Sequence, residues 1–344
     1  MSQNKMSRDL DHPSSVMGAV GGAQLHQGSD EVLIRDPAVG KYSPPSPAAE
    51  TARRHWEYAA MSVNVYREEM RAAKGGRGGL TPNNRGEFSQ AAFESACCDK
   101  MPAIPLRHWT RWEDFPGEDL QKTLAKQGMY LEVLEREQAP YRIAVVFEGT
   151  KTNDIKDLKA NLRWFLRFAP RYQDQYTLAM TEVATAFRDE LLARAKRGKL
   201  QIHGAQLTTA SGDPVSIVAA GHSLGGGLAQ QLAYAFKQEP DDSRGPKVSE
   251  VFAFDPSPVT GWFSTPDPPR SYNSEGLIIH RVFEHGEVLA YLRLLTSRLA
   301  VTSQDPAIWE YRYNFVRSTP ISSHGIRRLA CGLVLAARPW ETAD

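Results

Sequence analysis

The sequence feature that most constrains the fold is an apolar run that passes through a glycine-rich turn into a second apolar run. Residues 215–220 are typical of a buried β-strand, and residues 226–236 have the pattern of an amphipathic helix. Between them stands Gly221-His222-Ser223-Leu224-Gly225. A serine on so sharp a strand-to-helix turn takes a strained backbone conformation, so the positions two residues away must be nearly free of side chains. The segment predicts a nucleophile elbow at Ser223; the structural alternative is a glycine-rich turn with an ordinary serine.

Strands and helices alternate along the rest of the chain. The apolar patterns predict strands over residues 128–134, 141–147, 250–254 and 277–283, and helices over residues 173–197 and from residue 326 onward. We expect the first two strands to pair across a polar turn. The alternation of strands and helices, together with strands that are apolar along their whole length, predicts an α/β fold. In this fold, helices cover both faces of a mostly parallel sheet.

The domain organisation follows from a change of composition near residue 47. Residues 1–47 are polar and rich in Gly, Ser and Pro, which predicts a disordered N-terminal arm. From Ala48 the pattern becomes helical, and residues 48–344 are long enough for one large catalytic domain.

Composition and motifs narrow the functional class. A net charge of +1 argues against a nucleic-acid binder. No apolar run reaches the roughly 18 residues of a membrane span, and the N-terminus has no secretory signal pattern. Three cysteines do not make a disulfide framework, which favours a cytoplasmic protein at synthesis, with export by a signal-independent route as the alternative. Zinc-site and phosphate-loop motifs are missing, so we expect neither a metal nor an organic cofactor.

A serine nucleophile needs a histidine base that follows it in the chain of an α/β-hydrolase. The histidines after Ser223 are His280, His285 and His324. His324 lies in a turn after the last predicted strand and before the last helix, where this fold presents its base, so it is the predicted base. His280 lies inside a predicted strand and is expected to be packed. His222 is expected to pack or hydrogen-bond beside the nucleophile.

The base must in turn be oriented by a carboxylate. Asp255 ends one predicted strand, and Glu284 and Glu287 end the next. The usual position, in the loop after the later strand, favours Glu287, with Glu284 and Asp255 as alternatives. Each of the three could instead be a solvated loop charge or an ion-pair partner of Arg281 or Arg293.

Two amide donors are needed to stabilise the developing oxyanion. The backbone of Leu224, directly after the nucleophile, is the first candidate. The loop after residues 141–147 offers Thr150 as the second, with its hydroxyl beside its amide. The alternative for Gly149-Thr150 is a simple turn at the end of a strand.

These residues together resemble the class 3 (fungal-type) lipase family of α/β-hydrolases. The resemblance covers roughly residues 50–340 and is carried by Phe147-Glu148-Gly149-Thr150, residues 157–162, residues 221–226, residues 282–288 and His324. It implies an α/β-hydrolase fold and cofactor-free hydrolysis of acyl lipids, with transient contact to a lipid surface. The implied roles are nucleophile for Ser223, base for His324, acid for Glu287 and oxyanion donors for Thr150 and Leu224.

The chain departs from the family pattern at two positions. Glu148 stands where the family usually has arginine, which puts the ion pairing under the oxyanion loop in doubt. A glutamate stands in place of the usual aspartate acid, which changes the geometry of its loop. The family's lid follows the oxyanion loop, so residues 151–169 are a candidate lid, with a fixed core helix as the alternative.

The N-terminus and residues 255–261 are also loosely similar to bacterial class 3 lipases delivered as type VI secretion effectors. This similarity implies an antibacterial secreted enzyme with an immunity or secretion-machinery partner. A catalytically silent α/β-hydrolase that serves as a binding module is the alternative from another class. Acyl transfer and short-chain ester hydrolysis would use the same residues as the lipase.

Overall fold

The computed structural model describes residues 27–66, 104, 106–149, 175–236, 245–258, 260–286, 305–315 and 325–341. They form a nine-stranded mixed sheet, a separate two-stranded hairpin and flanking helices. The strands are β1 (Glu31–Arg35), β2 (Ser46–Pro47), β3 (Trp109–Arg111), β4 (Leu131–Arg136), β5 (Tyr141–Phe147), β6 (Leu200–His203), β7 (Gln206–Thr209), β8 (Val215–His222), β9 (Val248–Phe254), β10 (Ile278–Glu284) and β11 (Ala307–Tyr313). Strands β6 and β7 form the hairpin.

The middle of the large sheet is parallel and both flanks are antiparallel. The strand order is β2-β1-β11-β10-β9-β8-β5-β4-β3. Strands β11, β10, β9, β8 and β5 run parallel to one another, whereas β1 and β4 are antiparallel to β11 and β5. Parallel strands end at one edge of a sheet, so the residues that follow β5, β8, β9 and β10 lie along that edge, where α/β proteins place their sites.

Helices cover both faces of the sheet. They are α1 (Ala48–Asn64), α2 (Glu118–Lys126), α3 (Gln175–Lys196), α4 (Leu224–Ala235), α5 (Arg270–Ser274) and α6 (Ile326–Ala337). One buried core lies between the sheet and helices α1 and α6. A second core lies between the opposite face and helices α2, α3 and α4. The predicted α/β class, with a sheet covered on both faces, is confirmed.

Strand β8 shows why a continuous apolar run in the sequence predicts a central strand. Val218 and Ala220 belong to the first core, while Ile217 and Ala219 belong to the second. All four are at most 2% exposed. Since side chains alternate between the faces of a strand, both sets must be apolar when both faces are buried.

Most of the predicted elements are confirmed, with shifts of a few residues at their ends. Strands β4 and β5 pair antiparallel, as expected across their polar turn. The long helix predicted over residues 173–197 is α3, and the final helix begins at Ile326 as expected. None of the helices in the described ranges combines the length and apolar character needed to cross a bilayer.

The prediction of a disordered arm over residues 1–47 is wrong for its second part. Strand β1 pairs with β11, and Val32 is fully buried against the sheet. Tyr42 donates a hydrogen bond of 2.6 Å to Glu310 of β11, and Ser46 begins β2. Residues 1–26 lie outside the described part. The folded domain therefore includes residues well before residue 48.

The cysteine that lies within the described residues takes part in a disulfide bond. Cys331, in the buried face of α6, is disulfide-bonded. The other cysteines, Cys97 and Cys98, lie outside the described residues. The bond shows that a chain with few cysteines can still carry a covalent cross-link.

Two histidines, one from α1 and one from β10, are buried side by side where the helix packs on the sheet. His55 is fully buried and its Nδ1 lies 2.9 Å from the Tyr313 hydroxyl. His280 is 2% exposed, as predicted for a packed residue, and its ring centroid lies 5.6 Å from that of His55. Burial lowers the pKa of both imidazoles, and the Glu250 carboxylate only partly opposes this shift for His280.

We expect this pair to make stability fall in acid. Both pKa values are lowered in the folded state, so below the usual pKa of 6.5 the unfolded chain takes up protons that the folded chain does not. The stabilising contribution is complete above pH 6.5 and decreases below it, by at most about 1.4 kcal/mol per pH unit for each histidine. Denaturant unfolding between pH 8 and pH 5 measures the slope. Replacing the exposed His203 with Gln is the control for losing a histidine outside the buried pair. A flat stability profile would contradict the prediction.

Candidate active site

Ser223 occupies a strained turn between β8 and α4. Its backbone has φ 55° and ψ −119°, in the left-handed half of conformational space that residues other than glycine rarely occupy. Such a conformation costs about 1–3 kcal/mol and is kept where the surrounding structure enforces it. Ser223 stands at the N-cap of α4, but its side chain makes no capping hydrogen bond to the helix. The predicted strand, sharp turn and helix around Ser223 are confirmed.

The backbone around Ser223 is fixed by hydrogen bonds from both sides. The Ser223 amide donates to the carbonyl of Phe254, the last residue of β9, over 2.9 Å. The Ser223 carbonyl accepts from the amides of Ser257, over 2.9 Å, and Gly227, over 3.3 Å. The segment after β9 and the first turn of α4 therefore hold the strained residue in place.

The glycines of the elbow are required by close backbone packing. A Cβ atom on Gly221 would lie 2.4 Å from the backbone of Gly225, and one on Gly225 would lie 2.4 Å from the carbonyl oxygen of Phe147. Real Cβ atoms do not approach backbone atoms so closely, so only hydrogen fits at both positions. The expectation that the neighbours two residues from Ser223 lack side chains is confirmed.

Leu224, the first predicted oxyanion donor, directly follows Ser223 in the turn. Leu224 is the first residue of α4, and the first amides of a helix have no partner within the helix. The chain leaving β5 packs against the same turn, because a Cβ atom on Gly149 would lie 2.5 Å from the carbonyl oxygen of His222. Thr150, the second predicted donor, lies outside the described residues. The strand end that leads to it is thus in direct contact with the elbow.

Two of the three candidate acids are described and both are buried. Asp255 directly follows β9, is fully buried and has φ 40°. Glu284 ends β10 and is 1% exposed; its amide donates to Asp255 Oδ1 over 3.0 Å. The alternative of solvated loop charges is therefore wrong for both, and Arg281 bonds to Gln230 instead. Glu287 and His324 lie outside the described residues.

No model of a known protein family matches the chain. No curated protein matches it either.

The expectation for His222 is confirmed, and its partner is a residue that the sequence analysis missed. His222 is buried, and its Nδ1 lies 3.0 Å from the hydroxyl of Tyr66. The same hydroxyl accepts a hydrogen bond of 3.0 Å from the amide of Gly149. Tyr66 lies two residues past the end of α1, in a segment whose sequence pattern is helical from Ala48 onward. A helical pattern in the sequence does not indicate that one of its residues contacts the end of a distant strand.

Within the described residues, the groups that could bear chemistry converge at the carboxyl edge of the parallel strands. Ser223 follows β8, Asp255 follows β9, Glu284 ends β10 and Gly149 follows β5. Three or more His, Cys, Asp or Glu side chains do not gather into a metal-binding group in the described part of the chain. The arrangement supplies a constrained serine, helix-end amides beside it and buried carboxylates on the neighbouring strands.

Proposed function

We propose that this protein is an α/β-hydrolase that cleaves carboxylic esters of acyl lipids through a serine nucleophile. The observation that carries the proposal is the strained Ser223, held between β8 and α4 in a turn whose His222 and Gly225 backbone packs against the chain leaving β5. An ordinary serine in a glycine-rich turn needs no such conformation, and strain of this kind collects at functional sites. The resemblance to class 3 lipases supplies the substrate class.

In the proposed reaction, Ser223 Oγ attacks the ester carbonyl carbon while His324 takes its proton. The carbonyl oxygen becomes an oxyanion and accepts hydrogen bonds from the amides of Leu224 and Thr150. The C–O bond to the alcohol then breaks, and His324 returns the proton to the departing alcohol. Water then attacks the acyl-enzyme while His324 takes its proton. The bond between the acyl carbon and Ser223 Oγ breaks, His324 returns the proton to Oγ, and the fatty acid leaves.

The acid that orients His324 is proposed from two lines of argument. The resemblance to class 3 lipases favours Glu287. Among the described carboxylates, Asp255 has more support than Glu284, because β9 lies beside the elbow strand and β10 lies one strand further away. Ser257, two residues after Asp255, donates to the Ser223 carbonyl, and the Glu284 amide donates to one carboxylate oxygen of Asp255. We therefore propose Asp255 as the acid, with Glu287 as the competing assignment.

We propose that the protein is made in the cytoplasm and then exported. Disulfides persist in oxidising compartments, so the bond at Cys331 favours export over a purely cytoplasmic life. This agrees with the loose similarity to type VI secretion effectors and with an immunity or secretion-machinery partner. The proposed lipid surface would be met after delivery, with residues 151–169 as the proposed lid.

Covalent labelling tests the proposed function. We expect a fluorophosphonate probe to modify the full chain once, on the peptide that carries Ser223, as determined by mass spectrometry. Incubation with phospholipid vesicles or triacylglycerol emulsions should release fatty acid from at least one of them. An acyl group transferred to an added alcohol, without free fatty acid, would indicate a transferase. Lack of both labelling and ester cleavage would overturn the proposal and favour a silent binding module.

A further inference from the structure

The Tyr66 hydroxyl joins three elements that meet at the elbow. Tyr66 lies two residues past the end of α1, and its side chain reaches the carboxyl edge of the sheet. There it accepts from the Gly149 amide after β5, over 3.0 Å, and lies 3.0 Å from His222 Nδ1 at the end of β8. One hydroxyl therefore contacts both strand ends that flank the turn containing Ser223.

The hydrogen-bonding capacity of a phenol fits these two contacts. A tyrosine hydroxyl has lone pairs to accept with and a single hydrogen to donate. Gly149 N–H occupies the accepting side, so the phenol hydrogen is available to His222 Nδ1. Burial and the nearby Glu148 carboxylate raise the pKa of Tyr66, so the hydroxyl keeps its hydrogen across the working pH range.

The packing around Gly149 leaves no room for this peptide to shift toward its neighbours. A Cβ atom at Gly149 would lie 2.3 Å from the Tyr66 hydroxyl oxygen and 2.5 Å from the His222 carbonyl oxygen. The Glu148 carbonyl group, which forms the peptide bond to Gly149, also packs against the elbow, because a Cβ atom on Gly225 would lie 2.9 Å from its carbon. The chain leaving β5 is held between Tyr66 on one side and the elbow on the other.

We propose that Tyr66 is a positioning residue for oxyanion stabilisation, which holds the Gly149 peptide against the elbow without touching the substrate. This inference rests on the proposed ester hydrolysis. Oxyanion donors act by being fixed in advance where charge develops, so small displacements of their backbone cost rate. Binding of the acyl chain does not depend on that charge. Loss of the hydroxyl should lower kcat and leave KM nearly unchanged.

The test compares two tyrosine-to-phenylalanine variants of the same region. Tyr66→Phe keeps the ring and removes the hydroxyl, and we expect kcat for a chromogenic ester to fall about 10- to 100-fold. Tyr58→Phe is the matched control. Tyr58 is buried in α1 and its hydroxyl accepts a hydrogen bond of 2.7 Å from Arg142, in the body of the sheet. The control should lose comparable thermal stability and keep the kcat of wild type.

The possible outcomes separate this inference from the proposed function. Wild-type kcat in Tyr66→Phe, or an equal loss of kcat in Tyr58→Phe, would overturn the role of Tyr66 while ester hydrolysis stands. An inactive wild type with Ser223 unlabelled would overturn both proposals. Hydrogen exchange in the wild type provides a test that needs no variant: the Gly149 amide should be protected although it lies beyond the end of β5. Rapid exchange there would overturn the positioning role even if Tyr66→Phe fails to fold.

Discussion

Replacing Ser223 with alanine is expected to lower kcat for ester hydrolysis by about 10⁶-fold. The variant removes the oxygen atom that forms the acyl-enzyme. Without that nucleophile, the base contributes little to the rate. The fold should survive, because the hydroxyl does not cap α4 and residue 223 keeps its backbone hydrogen bonds with Phe254, Ser257 and Gly227. Kinetics with a chromogenic short-chain ester measure the loss, and thermal unfolding verifies the fold.

The matched control for this variant is Ser249→Ala. Ser249 lies near the start of β9, away from the carboxyl edge, and its hydroxyl donates a hydrogen bond of 3.1 Å to the Ile217 carbonyl. Its replacement removes one serine hydroxyl from the same sheet and should leave kcat unchanged. Retained hydrolysis in Ser223→Ala would mean that another group performs the chemistry, and the proposed nucleophile would be wrong.

Replacing Asp255 with asparagine is expected to lower kcat by about 10⁴-fold. Asparagine has nearly the same shape, and its side-chain oxygen can still accept the hydrogen bond from the Glu284 amide. The folded structure should therefore change little. What is lost is the negative charge that orients the base and stabilises its protonated form during the reaction.

Two further variants decide between the candidate acids. Glu284→Gln and Glu287→Gln each remove one charge and keep the length of the side chain. We expect both variants to keep kcat within about an order of magnitude of wild type, because a carboxylate that does not orient the base affects the rate only indirectly. A 10⁴-fold loss in Glu287→Gln together with an active Asp255→Asn would assign the acid to Glu287 and contradict the structural argument for Asp255.

The sequence was sufficient to predict those parts of the fold where local pattern and tertiary packing demand the same residues. Residues 215–236 are apolar because β8 and α4 are buried, and Gly221 and Gly225 are glycines because backbone atoms occupy the space of a side chain. Both requirements are visible in the sequence, as an apolar segment and as glycines at fixed positions. Ser223 and Leu224 could therefore be placed from the sequence.

The parts that were missed depend on contacts between distant segments. Strand β1 is flanked by polar and proline-rich residues, and its order comes from pairing with β11, which lies about 280 residues later. Tyr66 has the periodicity of a core residue, and only the three-dimensional fold brings its hydroxyl to Gly149 and His222. The burial of Asp255 has the same origin, because β10 covers a residue that looks like a loop charge in the sequence.

Strand β1 also determines where the chain can be shortened without harm. A protein that starts at residue 48 would leave β11 as an open sheet edge, with unpaired backbone amides and carbonyls ready to pair with another molecule. It would also deprive the half-buried Glu310 of its contacts with Tyr42 and Arg35. Such a shortened protein should self-associate, whereas a chain that starts near residue 27 keeps the edge covered. A tag or fusion partner attached before residue 27 would therefore leave this edge covered.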